Sequence, residues 1–412
     1  GLSYAYFVAK FWKIFAAHHL SDHSGKLSLL FYLGLVLSPL MMDQMVFLME
    51  SWLVIALLLA GLIQLLKTPE GGAPSHRGSH FALLFLMGLL GSLARTDFGL
   101  FFGVITAGSL LFKVLRKESP VRLASSLVLT MGAGFGVVLS LLHSYLISGA
   151  WVQGSAAMKL YWSQLMGFSI KPVFQLWTQL VFPFGGDLKL PLILIFMCVG
   201  LTRLFRQKEI KSIFWVSVSI VTLIGYFVYY RHNSQAIQPW YVGNLFLPTL
   251  ILGSLLGNFF ARWVGALALA GFMILSMKSF WGAHFPWQKG FYEAGVWLKS
   301  ESSISKVAAW NAGVLSWYSG NKVTNIDGLT NDSVHEFIRN GKLMDFLSER
   351  NLSRVLDFSA MWTSEDRAQR GGYRNLLIHS QCYRERNRFT SSQWQNSDLQ
   401  MIEINHDCLR SQ

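Results

Sequence analysis

From residue 27 to about residue 280 the chain is a succession of apolar runs, each roughly 15 to 25 residues long, the length a helix needs to cross a bilayer. In lipid every backbone polar group must be satisfied within the chain, so runs of this kind predict spanning helices. The pattern stops around "GAHFPWQKG", 282–290. Residues 1–284 carry 20 Lys and Arg against 8 Asp and Glu, whereas 285–412 carry 15 against 14. The fold class that follows is a polytopic α-helical membrane protein with about nine spans plus a partial one, ending in a small soluble α/β domain. The domain boundaries are 1–284 for the helical part and 285–412 for the tail. The opening "GLSYAYFVAKFWKIFAA" reads as the end of a span already under way, so the membrane domain is expected to be incomplete at its N-terminus.

Hydropathy places the spans at about 27–42, 45–66, 81–95, 98–115, 122–147, 190–206, 211–230, 241–258 and 262–280. Cytoplasmic loops collect Lys and Arg, and alternate connections here do so. Lys10, Lys13 and Lys26 precede the first span, and Lys67 and Arg77 follow the second. Lys113, Arg116, Lys117 and Arg122 follow the fourth. Arg203, Arg206, Lys208 and Lys211 follow the sixth, and Arg262 divides the last two. With these loops inside, 14 of the 20 basic residues of this half are cytoplasmic. The formal charge of +13 therefore reads as an orientation signal rather than a nucleic-acid-binding surface. Asp43, the turn at Arg95 and Asp97, the stretch 148–189, the segment 231–240 and the whole tail then fall on the extracytoplasmic face.

Several charged residues on that face stand out. "LLGSLARTDFGLFFG", 89–103, sets Arg95 and Asp97 between two apolar runs, and ionisable residues at membrane depth are functional candidates. A polar turn at the interface is the structural alternative. Glu50 in "FLMESWLV" sits about two turns below the outer surface in span two, where an unpaired carboxylate is costly. A salt bridge to a neighbouring helix competes with a functional role. In "YYRHNSQAIQPWYVGNLFLP", 229–248, Arg231 and His232 suit a phosphate, while Trp240 and Tyr241 suit a sugar ring or an isoprenoid chain. An interfacial anchor is the plainer reading. The stretch 148–189 interleaves aromatic and polar residues like helices lying in the interface plane, and it is long enough to roof a cavity. Asp187 and Lys189 stand at its exit. "GAGFGVV", 132–138, mimics a dinucleotide-binding loop but lies within a span with no preceding strand, so close helix packing explains it better.

The tail alternates helical and strand patterns. "FYEAGVWLKS", "NAGVLSWYS" and "VHEFIRNGKLMDFLSER" read as helices. "KVAAW", "KVTNID" and "RVLDF" read as strands, and "CYRERNRF" with "QMIEI" as a terminal hairpin. Asn325, Asp327, Asn331 and Asp332 cluster at strand ends, through turn chemistry or through contact with a substrate. Cys198 lies within a span. Cys382 and Cys408 are free to pair if the tail faces an oxidising compartment.

The order "LVLSPLMMDQMVFLMESWL", "LARTDFGLF", "QPWYVGNLFLP" and "VAAWNAGVLSWYSGNKVTNIDGLTND" resembles bacterial membrane glycosyltransferases of the GT-C superfamily, relatives of protein O-mannosyltransferases and aminoarabinose transferases. "LMES" is similar to the family's Gly-Met-Glu-Thr segment, with Leu48 for Gly and Ser51 for Thr. "LARTDF" is similar to its Arg-Pro-Asp-Gly turn, with Thr96 for Pro and Phe98 for Gly. The resemblance implies an inverting enzyme of the cell (inner) membrane that moves a sugar from a polyprenyl-phosphate donor to a hydroxyl of a glycan, lipid or protein acceptor. It implies donor-phosphate contacts from Arg95, Arg231, His232 and Lys189. Glu50 and Asp97 would position groups or support acid–base chemistry, and Trp240, Tyr241, Asp43 and Asp187 would bind substrate. The family's main catalytic aspartate is expected upstream of Gly1. No cofactor is implied, and a divalent metal stays open. A transporter or flippase of a lipid-linked anion, and a non-catalytic envelope scaffold, are the competing classes.

Overall fold

The computed structural model describes residues 6–7, 9–11, 13–14, 51–67, 77–116, 121–181, 189–207, 210–231, 241–257, 274, 287–329, 331–365, 379–394 and 397–410. It divides into two compact units: Gly1–Trp151 with Phe168–Gly282, and Val152–Gly167 with Ala283–Gln412.

The first unit is helical. Its long elements are α1 (Ser51–Leu66), α2 (Arg77–Ala94), α3 (Gly99–Arg116) and α4 (Leu123–Ser148). After α5 (Gly154–Met166), which belongs to the second unit, come α6 (Lys171–Val181), α7 (Lys189–Gln207), α8 (Ile210–Tyr230) and α9 (Val242–Gly257). Three stretches are long and apolar enough to cross a membrane: Thr96–Leu115, Leu123–Ser148 and Ile210–Tyr230. Leu53–Leu66, Gly78–Ala94 and Val242–Leu256 are apolar but shorter. Nine spans were expected, and seven of the intervals drawn from hydropathy coincide with helices. The described parts of α1 and α9 have 16 residues each, α1 beginning and α9 ending at the limit of the described residues. α7 carries Lys189, Arg203 and Arg206 within its length. The intervals 27–42 and, but for Ile274, 262–280 lie outside the described residues.

Small residues let α2 and α4 approach closely. A Cβ on Gly132 would fall on the carbonyl oxygen of Phe85, and one on Gly88 would fall on that of Leu129. On Gly136 it would lie 2.6 Å from the Leu89 carbonyl oxygen. "GAGFGVV" is thus a helix-packing face, the arrangement by which membrane helices associate without a hydrophobic driving force between them. α6 buries Val173, Leu176, Trp177, Leu180 and Val181. Trp177 Nε1 donates to Thr249 Oγ1 at 2.9 Å, and Phe174 and Trp177 both pack on Phe227. Two helices were expected in 148–189 and both form, but each turns its aromatic face into protein rather than only toward the interface.

The second unit carries α10 (Trp287–Ser300), β1 (Val307–Ala309), α11 (Ala312–Tyr318), β2 (Val323–Asn325), α12 (His335–Arg339) and α13 (Leu343–Glu349). β3 (Arg354–Phe358), α14 (Ala360–Thr363), β4 (Tyr383–Trp394), β5 (Ser397–Ile404) and α15 (His406–Arg410) complete it. The sheet order is β2-β1-β3-β5-β4, with β2, β1 and β3 parallel and β5 and β4 an antiparallel hairpin. The helix expected over 334–350 is broken in two. Gly341 takes a φ of 66°, and the backbone reverses there at no steric cost. A disulfide joins Cys382, before β4, to Cys408 in α15.

Candidate functional site

The turn between α2 and α3 is shaped by a large ring and a missing side chain. Phe98 is fully buried and lies where a Cβ on Gly91 would be. α2 ends as Arg95 N–H donates to the Gly91 carbonyl at 2.9 Å, and Arg95 then turns extended, with φ −153° and ψ 123°. One turn of 3-10 helix, Thr96–Phe98, returns the chain, closed by Phe98 N–H on the Arg95 carbonyl at 3.0 Å. Arg95 and Asp97 thereby lie on the same side of the turn. Nε donates to Oδ1 at 3.1 Å and Nη2 to Oδ2 at 2.9 Å, a two-pronged pair whose side chains are only 12% and 8% exposed.

A buried ion pair survives only when further hydrogen bonds offset the loss of water. α8 and α9 supply them. The Tyr230 hydroxyl donates to Asp97 Oδ2, and the Tyr226 hydroxyl donates to the Asp97 carbonyl at 3.1 Å. Asn244 Nδ2 donates to the Tyr230 oxygen at 3.0 Å, so the sequence of donors runs from Asn244 through Tyr230 to Asp97. Tyr226 and Tyr230 are four residues apart on α8 and stack at 5.7 Å. The Arg95 guanidinium carbon lies 4.8 Å from the centre of the Tyr241 ring, a cation–π distance. Two acceptors complete the corner. Asn244 Oδ1 is buried with no hydrogen-bond partner among the described residues. Pro248, within α9, has no N–H to offer the Asn244 carbonyl one turn earlier. Beside them, a Cβ on Gly243 would lie 3.2 Å from the Cβ of Ser51, the first residue of α1.

Of the residues singled out from sequence, Arg95, Asp97 and Tyr241 come together. Arg231 follows directly on Tyr230, with an exposed side chain. Lys189 is the first residue of α7. Glu50, Asp43, Asp187, His232 and Trp240 lie outside the described residues. Sequence reasoning passed over Tyr226, Tyr230 and Asn244 as site residues. The available signal was two tyrosines at helical spacing in one apolar run and an asparagine in the next. Among the described residues no three His, Cys, Asp or Glu side chains gather as a metal site would require.

The second unit has its own polar centre. In a sheet ordered 2-1-3 the crevice lies at the C-terminal ends of β1 and β3. Asp357 of β3 is fully buried there. Its carboxylate accepts from Trp310 N–H at 2.7 Å, Asn311 N–H at 2.9 Å, Asn311 Nδ2 at 2.8 Å and Phe358 N–H at 2.8 Å. Burial outweighs these donors and pushes its pKa up to about 6. Asn325, Asp327 and Asn331 spend hydrogen bonds on their own loop: Asp327 Oδ1 accepts from Leu329 N–H at 2.6 Å, and Asn331 Nδ2 donates to the Asn325 carbonyl at 2.8 Å. That is turn chemistry.

α5 closes this end of the sheet. Trp162 stacks on Trp310 at 5.6 Å, and the Tyr161 hydroxyl reaches the Ile338 carbonyl at 3.4 Å. Met158 packs on Gly328, whose φ of 75° and lack of a side chain are both required there. The Asp332 carboxylate lies against Gly154, the first residue of α5, where the helix dipole favours an anion.

Within this second unit, residues 283–401 match a protein-family model described as a domain of unknown function, DUF8728. No curated protein and no solved structure matches the chain.

Proposed function

We propose that this chain is a multi-pass membrane glycosyltransferase that moves a sugar from a polyprenyl-phosphate donor to an acceptor hydroxyl on the extracytoplasmic face. The observation that carries the reading is a convergence of three motifs distant in sequence. Ser51 of "LMES", Arg95 and Asp97 of "LARTDF", and Tyr241 and Asn244 of "QPWYVGN" meet at one corner of the helical unit. A lipid phosphate leaves in this reaction, so a fixed cation where the negative charge grows lowers the barrier. Arg95 is that cation. Asp97, itself held by Tyr230 and Tyr226, sets the plane of its guanidinium. Glu50 directly precedes Ser51 in sequence and, on this reading, supports the acid–base chemistry. The nine-span threading, which puts this turn and the tail outside, belongs to the same proposal, and the Cys382–Cys408 disulfide supports it because such bonds persist in oxidising compartments.

The test separates the role of the pair in folding from its role in binding. Arg95→Met combined with Asp97→Asn removes both charges while keeping similar volumes. The solubilised double variant is expected to insert and melt like the parent but to lose binding of polyprenyl phosphate and transfer from polyprenyl-phosphate sugars. Retained binding in a folded double variant would return the pair to a structural role and favour the scaffold reading.

A further inference from the structure

The second unit displays an aromatic patch that its own packing leaves uncovered. α10 turns Phe291, Ala294 and Leu298 into the core. On its opposite side Tyr292 and Val296 are exposed one turn apart, with exposed Lys289 and Lys299 three residues before and after them. α11 crosses α10 at Gly295, where a Cβ would lie 2.9 Å from the Tyr318 Cβ. This crossing brings Tyr318 edge-on to Tyr292 at 4.6 Å between ring centres. The adjoining Trp317 is 81% exposed, the largest value for any large hydrophobic side chain among the described residues. The patch is therefore one surface made from two helices: Tyr292, Val296, Trp317 and Tyr318 between two lysines.

We infer that this surface docks into the headgroup layer of the membrane that holds the first unit. Three properties point to lipid as the occupant. Tryptophan and tyrosine rings with one polar edge settle at headgroup depth. Lysines at the rim lay their stems along apolar surface and bring their ammonium groups to lipid phosphates. The connection 281–286 between the last apolar run and α10 has six residues, a reach of no more than about 20 Å even when fully extended. The start of α10 is thus tethered within about 20 Å of the end of that apolar run. The inference rests on the membrane-spanning reading of the first unit and is independent of sugar transfer.

Nitroxide accessibility tests this in the full-length chain, reconstituted in vesicles of phosphatidylethanolamine and phosphatidylglycerol. Trp317→Cys, in a Cys198→Ser background, carries the spin label, and Cys382 and Cys408 stay paired. Tyr292→Cys gives a second probe of the patch, and Glu349→Cys gives an exposed reference on α13. Labels at 317 and 292 are expected to collide with oxygen severalfold more than with a water-soluble nickel complex, relative to the label at 349. Equal access of the nickel complex to 317, 292 and 349 would overturn the inference in favour of a solvated or sugar-facing surface. Shielding of 317 and 292 from both reagents would overturn it in favour of a protein partner or a second copy of the chain.

Discussion

Asp97 receives a guanidinium and two phenols at once, and each of those partners is tied to something else. Tyr230→Phe would take one donor from Asp97 and one acceptor from Asn244 Nδ2, at a cost of about 1 to 3 kcal/mol. A lowered melting temperature of the solubilised chain is the expected result, and under the proposed function transfer should fall by more than the lost stability predicts. In the second unit the interesting charge is Asp357. Its pKa in the fold, about 6, lies above the ordinary 3.8, so the native state holds this proton more tightly than the unfolded chain does. Its contribution to stability is therefore full below about pH 4 and is lost as pH rises through about 6, a change on the order of 3 kcal/mol. Hydrogen exchange at β3, corrected for intrinsic rates, should show protection falling over that window. Arg95 and Asp97 were legible in sequence because charges in an apolar run are expensive and conspicuous. Tyr226, Tyr230 and Asn244 were not, because neutral polar residues are ordinary in membrane helices. Which of Tyr226, Tyr229 and Tyr230 meets Asp97 depends on the rotation of α8, which no local pattern records.

The contact between α2 and α4 is set by glycines, and it makes a sharp prediction at the scale of elements. Gly132→Ala would drive a methyl into the Phe85 carbonyl and force the helices apart, costing about 3 kcal/mol by overpacking. Gly134→Ala, two residues along the same helix, meets nothing within 4 Å and should be neutral. A thermal or denaturant melt of the two variants side by side checks the pair. Secondary structure in the tail was readable because α10, β1, α11, β2, β3 and the terminal hairpin each carry their own period and turn residues. The split between α12 and α13 was missed because "RNGK" sits in an otherwise continuous helical pattern. Its effect depends on Gly341 taking a positive φ that helices also tolerate losing. The partner of α5 was equally hidden. A sequence of Trp, Tyr and Gln at helical spacing says that one face will be covered, not by what.

At the scale of the molecule, the disulfide closes a loop between positions 26 residues apart and fastens α15 to the start of β4. Reduction, or Cys408→Ser, should lower the stability of the second unit by about 3 kcal/mol through the entropy returned to the unfolded chain, read as a downward shift of its melting transition in reductant. The chain passes between the two units three times, at 151/152, 167/168 and 282/283. A fragment expressed from Ala283 onward would lack α5, baring Trp310 and the Gly328 loop. It should self-associate on gel filtration until a peptide of residues 152–167 is supplied. Heredity treats such a unit differently from an ordinary domain. Its wall and its body are encoded apart, so recombination at the obvious seam moves a body that no longer closes. A variant that keeps the tail without residues 152–167 loses the helix that covers Trp310.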